Sequence, residues 1–575
     1  MSTIKLLVST IVLLVIACSG KKINDFPAQK SPVKVNIEGY LPSGLKSAIV
    51  TKSLSGVEFF EIVNTENNEI VYTGQIPEIE PADAVFGEPA YKLDFSNVSG
   101  SGTYKVLIPK IRLSSVEFQI SNDVYNRAFQ TSLESFYYQR CGTKIDNGTS
   151  WSHSACHLDD ASFFDTNKEK DVSGGWHDAG DYGKYSVNTS VSLAFILYLY
   201  DHQKYKFKDG QLNIPENGNS VPDLLDESKW ALKWLLKMQS ENGGVYHKVQ
   251  KKKWTGEYLP QDDPDARYIY EVSSTATAGF AAVSALASRI FKEFNPKFAD
   301  SLKTASERAW DFLEKKPNIF PENGFKNPEG VKGGEYGDSN DSDERLWASV
   351  ELYRLTKNEK YHTYFLDNYK KLHGPTPPPL SWKNVKEFAY FSYLNIENAY
   401  KDNEATNFIT EKYKRYGAEL LRRSENNNYR IVLDKDEFYW GSNSVLLGYC
   451  FSLIQIYEIT QDESFKNLAL EQLNYLLGRN PFGFAYLTGL GKNSIRQPYH
   501  QFSNELNSFL PVPGMVVGGP NSKNKLNGIS LSEYPGKAFE DNHKNYMVNE
   551  VAINYTAPFV FVSGYFSFKA IKNNN

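Results

Sequence analysis

Two stretches of the sequence place carboxylates where they could do chemistry. The first is Gly174-Gly175-Trp176-His177-Asp178-Ala179-Gly180-Asp181-Tyr182-Gly183-Lys184-Tyr185. Asp178 and Asp181 stand three residues apart in a glycine-rich turn, where the backbone can approach a ligand closely. Two such carboxylates can converge on one water. Inverting hydrolysis of an acetal needs a carboxylate that activates such a water. A calcium loop or a plain surface turn would carry the same spacing. The second stretch is Phe539-Glu540-Asp541, then Tyr546, then Asn549-Glu550-Val551-Ala552-Ile553-Asn554-Tyr555. Glu550 opens an apolar run, 550–571, that reads as the last helix. An acid at the edge of such a run is poorly solvated, and its pKa rises until it holds its proton. The competing reading is a carboxylate that merely complements a helix dipole.

Three further sets could hold metals or lipid. Cys141, Cys156, His157 and His177 offer two thiols and two imidazoles. Four such donors suit a closed structural zinc site, although their spacing is not that of a zinc finger. A Cys141–Cys156 disulfide is the alternative, which an exported protein permits. Gly337-Asp338-Ser339-Asn340-Asp341-Ser342-Asp343-Glu344 is rich in oxygen donors, as hard cations prefer, or is simply an acidic helix start. At the other extreme of the chain, residues 5–17 form an apolar run behind Lys5 and end at Cys18-Ser19-Gly20. The run suits a signal-peptide core over residues 1–17. Its end resembles a bacterial lipobox, which predicts acylation at Cys18 and an exported lipoprotein anchored at the periplasm or cell surface. Residues 18–32 then read as a flexible tether. Cys450 lies in an apolar run and reads as a buried thiol.

Composition narrows the partners. The 575 residues are 14% aromatic and carry a net charge of −5 without a basic block. Nucleic acid is excluded as a partner, because phosphate neutralisation needs clustered Lys and Arg. Flat rings stack on the apolar faces of sugars, so the aromatic content tilts the reading towards carbohydrate, although most rings in any protein are core.

The elements that must position these residues divide the chain in two. Residues 33–122 contain about seven short alternating segments bounded by Gly, Pro, Asn or Ser, which predicts a β-sandwich. From about Asn126 the period becomes helical. Ser220 is expected to cap a helix with Pro222 in its first turn. Residues 271–291, 299–313, 343–356, 404–422, 442–460, 463–477 and 550–571 also read as helices. Long loops rich in Gly, Pro, Asp and aromatics separate them, and function should lie there. The fold class is all-α with an appended β-sandwich.

With these motifs in hand, the chain from about Val33 to about Phe568 resembles glycoside hydrolase family nine. This is the inverting cellulase family, in its branch with an N-terminal immunoglobulin-like domain. The resemblance also rests on Ile214-Pro215-Glu216-Asn217-Gly218-Asn219, Arg267-Tyr268-Ile269-Tyr270, Trp440-Gly441-Ser442-Asn443, Leu477-Gly478-Arg479-Asn480-Pro481 and Gly518-Gly519-Pro520-Asn521. It implies an (α/α)6 barrel over 124–572 with an open cleft. It also implies Asp181 as general base, Asp178 as a holder of the nucleophilic water and Glu550 as general acid. The substrate would be a β-1,4-linked glucan, with Trp440, Tyr499, Gln501 and Tyr555 at the sugar. The branch carries zinc on residues matching Cys141, Cys156, His157 and His177. The family binds calcium through residues matching Ser339, Asn340, Asp343 and Glu344, with a later Asp that is Asn384 here. Two departures matter. Tyr499 and Gln501 stand where His and Arg are usual, and Thr556 replaces a usual Asn. These departures leave an exo-acting glycosidase on short or amino-substituted oligosaccharides as an alternative to an endoglucanase. A non-catalytic glycan-binding lipoprotein is the third reading.

Overall fold

A computed structural model describes residues 31–166, 168–372, 378–506, 510–525 and 528–567. The expected signal peptide, the anchor Cys18 and nearly all of the tether lie outside the described residues.

The N-terminal unit is a sandwich of two sheets. One sheet has the order Val33–Lys34, Ser47–Val50, Tyr91–Asp94, all antiparallel. The other runs Gly39–Tyr40, Phe118–Ile120, Gly102–Ile108, Phe59–Asn64, Ile70–Gln75, with Gly39–Tyr40 pairing parallel to Phe118–Ile120. The alternation of Gly102–Ile108 buries Tyr104, Val106 and Ile108 on one face, as a period of two requires. Tyr40 meets Phe95 and Phe118 edge to ring, each at 5.4 Å, at the centre of this small core.

Twelve longer helices among the described residues then alternate between an inner and an outer ring. The inner ring is Ser186–Gln203, Ser274–Phe291, Ser342–Thr356, Lys386–Leu394, Ser442–Thr460 and Ile553–Phe566. Each is buried almost all round, so none needs a single apolar stripe. Phe195, Phe388, Phe451 and Phe561 from four of them meet in the core between the helices, with centroids of contacting rings 4.7–6.3 Å apart. The outer helices, such as Asp223–Met238 and Pro296–Lys315, keep an apolar face inward and charges outward. This is an (α/α)6 barrel.

Two helix starts differ from expectation. Ser220 adopts φ +67°, and the helix begins at Asp223 behind Pro222, so Ser220 caps nothing. The run from Glu550 is not one helix. Glu550 is extended, following the short turn Tyr546–Asn549, and the last inner helix begins only at Ile553.

The sandwich is locked to the barrel through a buried contact. Asn36 donates to Asn474 at 2.8 Å, and the Ile37 amide donates to the Leu477 carbonyl at 2.9 Å. Buried Arg479 sits 2.8 Å from the Glu471 carboxylate and donates to Ser47 at 3.2 Å. The loop between Ile70–Gln75 and Tyr91–Asp94 also reaches across. Asp83 turns it by accepting from the Val85 and Phe86 amides, and Phe86 enters the barrel core 4.4 Å from Tyr429. Phe86→Ala should therefore destabilise the protein by about 3–5 kcal/mol, seen as a lower urea midpoint. A loss below about 1 kcal/mol would show that this loop contributes little to docking.

Candidate active site

Five of the six inner helices begin just after a residue that faces one common cavity. Tyr185 precedes Ser186–Gln203, Tyr336 precedes Ser342–Thr356, Trp382 precedes Lys386–Leu394, Trp440 precedes Ser442–Thr460, and Glu550 precedes Ile553–Phe566. The cavity therefore sits at the N-terminal ends of the inner ring, where helix dipoles favour negative charge. Its volume is about 580 Å³, and Asp178, Asp181 and Glu550 all line it.

The glycine turn explains how two of these acids reach the same space. Gly175 adopts φ +77° with no room for a side chain, since a Cβ would lie 2.6 Å from Trp234. Gly180 lies under Tyr499, where a Cβ would fall 2.5 Å from the ring. Trp176 is buried and donates to Glu227 at 2.7 Å, which pins the start of the turn. Asp178 is 1% exposed and accepts from Asn188 at 2.9 and 3.1 Å and from the Tyr336 hydroxyl at 3.0 Å. Burial raises its pKa to about 7. The Asn188 donor pulls it down, the Asp181 charge pushes it up, and Tyr336 pulls it down again. Asp181 is also raised by burial, but the Gly183 amide donates to it, and Arg267, Lys251 and Lys248 lie close enough to favour its anion.

Glu550 faces them from the other side. Its extended strand pairs with Tyr499, and its carbonyl accepts from Gly518 at 2.9 Å. Burial raises its pKa well above the usual carboxylate value, and the charges of Asp181 and Asp178 raise it further. Glu550 is not a first-turn carboxylate of the last inner helix, because that helix begins only at Ile553. Asp541 ties the two flanking loops together. Its carboxylate accepts from the Arg496 and Gln497 amides at 2.8 and 3.0 Å and from Asn549 at 3.1 Å.

Aromatic side chains form two walls. Trp382, Tyr336 and Tyr185 run in ring contact at 5.1 and 4.7 Å, and Trp440, Tyr546 and Tyr499 run at 5.5 and 5.9 Å. Trp254 and Tyr555 complete the lining. Trp440, Tyr499 and Tyr555, expected at the sugar, all line this cavity. Gln501 does not. It is 1% exposed and absent from the lining; its main-chain N–H donates to the Gly180 carbonyl at 2.8 Å, and its side chain hydrogen-bonds Tyr499. Tyr185 and Tyr546 were named within the two carboxylate-bearing stretches but given no role, and Asn188, Trp254, Tyr336 and Trp382 were not singled out from the sequence. Their only signal was that most are aromatics in or beside long loops.

Cys141, Cys156, His157 and His177 converge behind the turn. Their donor atoms all lie within 4.8 Å of one another. His177 Nε2 is 3.4 Å from His157 Nδ1 and 3.9 Å from Cys156 Sγ. The two cysteines are not bonded to each other, which removes the disulfide alternative from this structure. Although burial opposes it, contacts with Cys156, Lys184 and His177 bring the Cys141 thiol well below its ordinary value, while Cys141 and burial push Cys156 up. One proton is thus shed more readily than two, and a bound cation would favour loss of both. His157 Nε2 lies 3.6 Å from the Asp263 carboxylate, as outer partners of metal-bound imidazoles often do. The four residues fit a structural metal.

The acidic loop fits a cation only in part. Both Glu344 carboxylate oxygens and Asn384 Oδ1 are buried without hydrogen-bond partners. Burial, then the neighbouring Asp343, raises Glu344 well above its usual value. Asp343 accepts from the Val385 amide at 2.8 Å. Ser339 and Asn340 are exposed, however, and Asn340 Oδ1 is already taken by Ser342. Among the described residues this loop does not reach the donor convergence of the Cys–His set.

Comparison with known proteins follows the same division of the chain. Residues 28–112 match the cellulase N-terminal ig-like domain, and residues 125–563 match glycosyl hydrolase family 9. Endoglucanase D of Acetivibrio thermocellus is 32% identical over 565 residues, covering 96% of this chain and 83% of that protein. Cellodextrinase of Butyrivibrio fibrisolvens is 33% identical over 557 residues, covering 92% and 98%. The crystal structure of a metagenome-derived glycoside hydrolase family 9 endoglucanase superposes with a TM-score of 0.87 at 32% identity, covering 93% of this chain and 98% of that one. The match spans almost the whole helical barrel, and the chain belongs to glycosyl hydrolase family 9.

Proposed function

We propose that the enzyme hydrolyses β-1,4-linked glucan with inversion, using Asp181 as general base and Glu550 as general acid. The observation that carries this reading is the facing of three carboxyls across a cavity walled by two rows of aromatic rings. Rings stack on the sugar faces, and the carboxyls lie where the bond would be cut. Asp178 holds a water, and Asp181 accepts its proton as the oxygen attacks the anomeric carbon. Glu550 gives its proton to the departing glycosidic oxygen as that bond breaks. The products gain one water in total, and proton exchange with solvent resets both acids. The electrostatics match these tasks. Asp181 has three nearby cations and an amide donor, whereas Glu550 has only neighbours that keep it protonated or neutral donors.

Endo action on cellulose, mixed-linkage or branched glucan is the first reading, because the likeness to endoglucanases spans the chain. Action on short oligosaccharides is favoured by one observation, the similar overall likeness to a protein named cellodextrinase. Zinc is the ion we assign to Cys141, Cys156, His157 and His177, since two thiolates and two imidazoles suit its tetrahedral preference. His177 directly precedes Asp178, so the ion would fix the start of the catalytic turn. Calcium is assigned to the loop of Asp343 and Glu344, where both Glu344 carboxylate oxygens are buried without a hydrogen-bond partner. Export and acylation at Cys18 complete the proposal and would hold the enzyme at a membrane. Among the described residues no helix is long and apolar enough to cross one.

Asp181→Ala should abolish turnover on every substrate. Glu550→Gln should hurt least when the leaving group departs easily, because protonation then matters less. NMR of the first-released sugar should show the α-anomer from a β-linked substrate, and β-anomer first would remove Asp181 from the role of base. The pH profile gives a second check. Asn188 stabilises the ionised form of Asp178, so Asn188→Ala should raise that pKa and move the acidic limb of kcat/KM to higher pH. A limb that moves down or stays would disconnect Asp178 from the profile. Stripping the protein with a chelator should release zinc, measurable by metal analysis, and lower the melting temperature. Metal-free protein with an unchanged melting curve would count against a structural ion.

A further inference from the structure

One side of the catalytic cavity is built from backbone that has no regular structure to hold it. Residues 331–341 form neither helix nor strand, yet Gly333, Gly334 and Tyr336 line the cavity. Tyr336 adopts φ +47°, a left-handed conformation that a bulky side chain takes only when its surroundings force it. Its hydroxyl donates to Asp178 at 3.0 Å, so the strained residue reaches the catalytic turn. Three side chains hold the three carbonyls that precede it. Asn327 donates to the Gly333 carbonyl at 3.1 Å, Lys248 Nζ to the Gly334 carbonyl at 2.7 Å, and His247 Nε2 to the Glu335 carbonyl at 2.9 Å.

His247 and Lys248 are both fully buried. Burial lowers His247 to about 3, so its ring is neutral and carries one N–H. A carbonyl only accepts, which puts that hydrogen on Nε2 and leaves Nδ1 to the Ser273 hydroxyl at 2.8 Å. The ring lies flat on Phe325, with centroids 3.9 Å apart. Lys248 divides its three protons among Gly334, Asn327 at 2.6 Å and Gln250 at 2.8 Å. Burial lowers its pKa to about 7, against the pull of the Asp181 and Glu335 charges. A methionine could occupy much the same space without burying a charge. What the ammonium adds is a fixed Gly334 carbonyl and a positive charge near Asp181.

We propose that Lys248 is a positioning residue of the hydrolysis. With His247 it holds the backbone ahead of Tyr336 in the conformation that keeps the Tyr336 hydroxyl on Asp178, and so keeps Asp178 aimed at the attacking water. This rests on the hydrolytic reading above.

The test is a double-mutant cycle on cellopentaose that combines Lys248→Met with Tyr336→Phe. Lys248→Met should lower kcat by about ten- to a hundredfold, the scale of a small misplacement of reacting groups. KM should hardly change, because the rings that face the sugar remain. Tyr336→Phe keeps its ring and removes only the hydroxyl. In that background Lys248→Met should cost little more, because both variants break one path to Asp178. Losses that multiply in the double variant would overturn the proposal and leave Lys248 acting on Asp181 by charge. An unchanged kcat in Lys248→Met, whether or not KM or the melting temperature moves, would overturn it as well. If Lys248→Met does not fold, Asn327→Ala takes its place in the cycle. That half-buried residue holds the Gly333 carbonyl and is one of the Lys248 partners, so the same non-additivity is expected and the same additive result would overturn the proposal. A native enzyme inactive on cellopentaose and on longer β-1,4-glucans would refute the hydrolytic reading itself.

Discussion

Negative charge confined to a poorly hydrated cavity is the constraint around which this protein is arranged. Asp178, Asp181 and Glu550 share one space, and burial raises the pKa of each. Left alone, three such groups would all hold protons and do no acid–base work. Their environments separate them instead. Asp178 receives two neutral donors, Asn188 and Tyr336. Asp181 has Lys248, Lys251 and Arg267 within electrostatic reach, on the neighbouring strands Lys248–Lys251 and Arg267–Ile269. Glu550 has no cation among its main influences. A base and an acid can therefore coexist at one pH.

The barrel supplies the geometry for this. Placing most of the lining just before inner helices gives each side chain a rigid support and gives the cavity a ring of helix N-termini. The loops that are not helix starts need other restraints. The Cys141–Cys156–His157–His177 cluster lies behind the glycine turn, and the Asp541 carboxylate holds the loops carrying Tyr499 and Glu550. The sandwich contributes nothing to the cavity lining, but its 80–90 loop and Arg479 contacts brace the barrel helices around Tyr429 and Leu477.

Aromatic rings divide the cleft into spaces. The walls of Trp382–Tyr336–Tyr185 and Trp440–Tyr546–Tyr499 can each take the apolar face of a sugar. Tyr499 has its place because Gly180 leaves room beneath its ring and Gln501 is buried behind it. The two residues therefore do different things: the Tyr499 ring faces the cleft, and the buried Gln501 side chain hydrogen-bonds Tyr499.

The sequence by itself determined the glycine turn, the carboxylates, the Cys–His set and the sandwich strands. Each rests on local chemistry: a positive φ that only glycine tolerates easily, donor types that suit a metal, or a period of two. It also marked four of the outer helices, where one face meets solvent, and four of the inner ones. Ser186–Gln203 and Lys386–Leu394 of the inner ring, and Asn126–Tyr138 and Glu359–Asn368 of the outer ring, were not marked; the two inner ones are buried on all sides and show no apolar stripe to mark them. The extended state of Glu550 escaped for a related reason. Its apolar continuation reads as helix, but pairing with Tyr499 and Gly518 holds the backbone extended for three residues before the helix starts. Which aromatics line the cleft and which fill the core was likewise decided only in three dimensions. Burial depends on what the rest of the chain places opposite a side chain, and that partner is often hundreds of residues away.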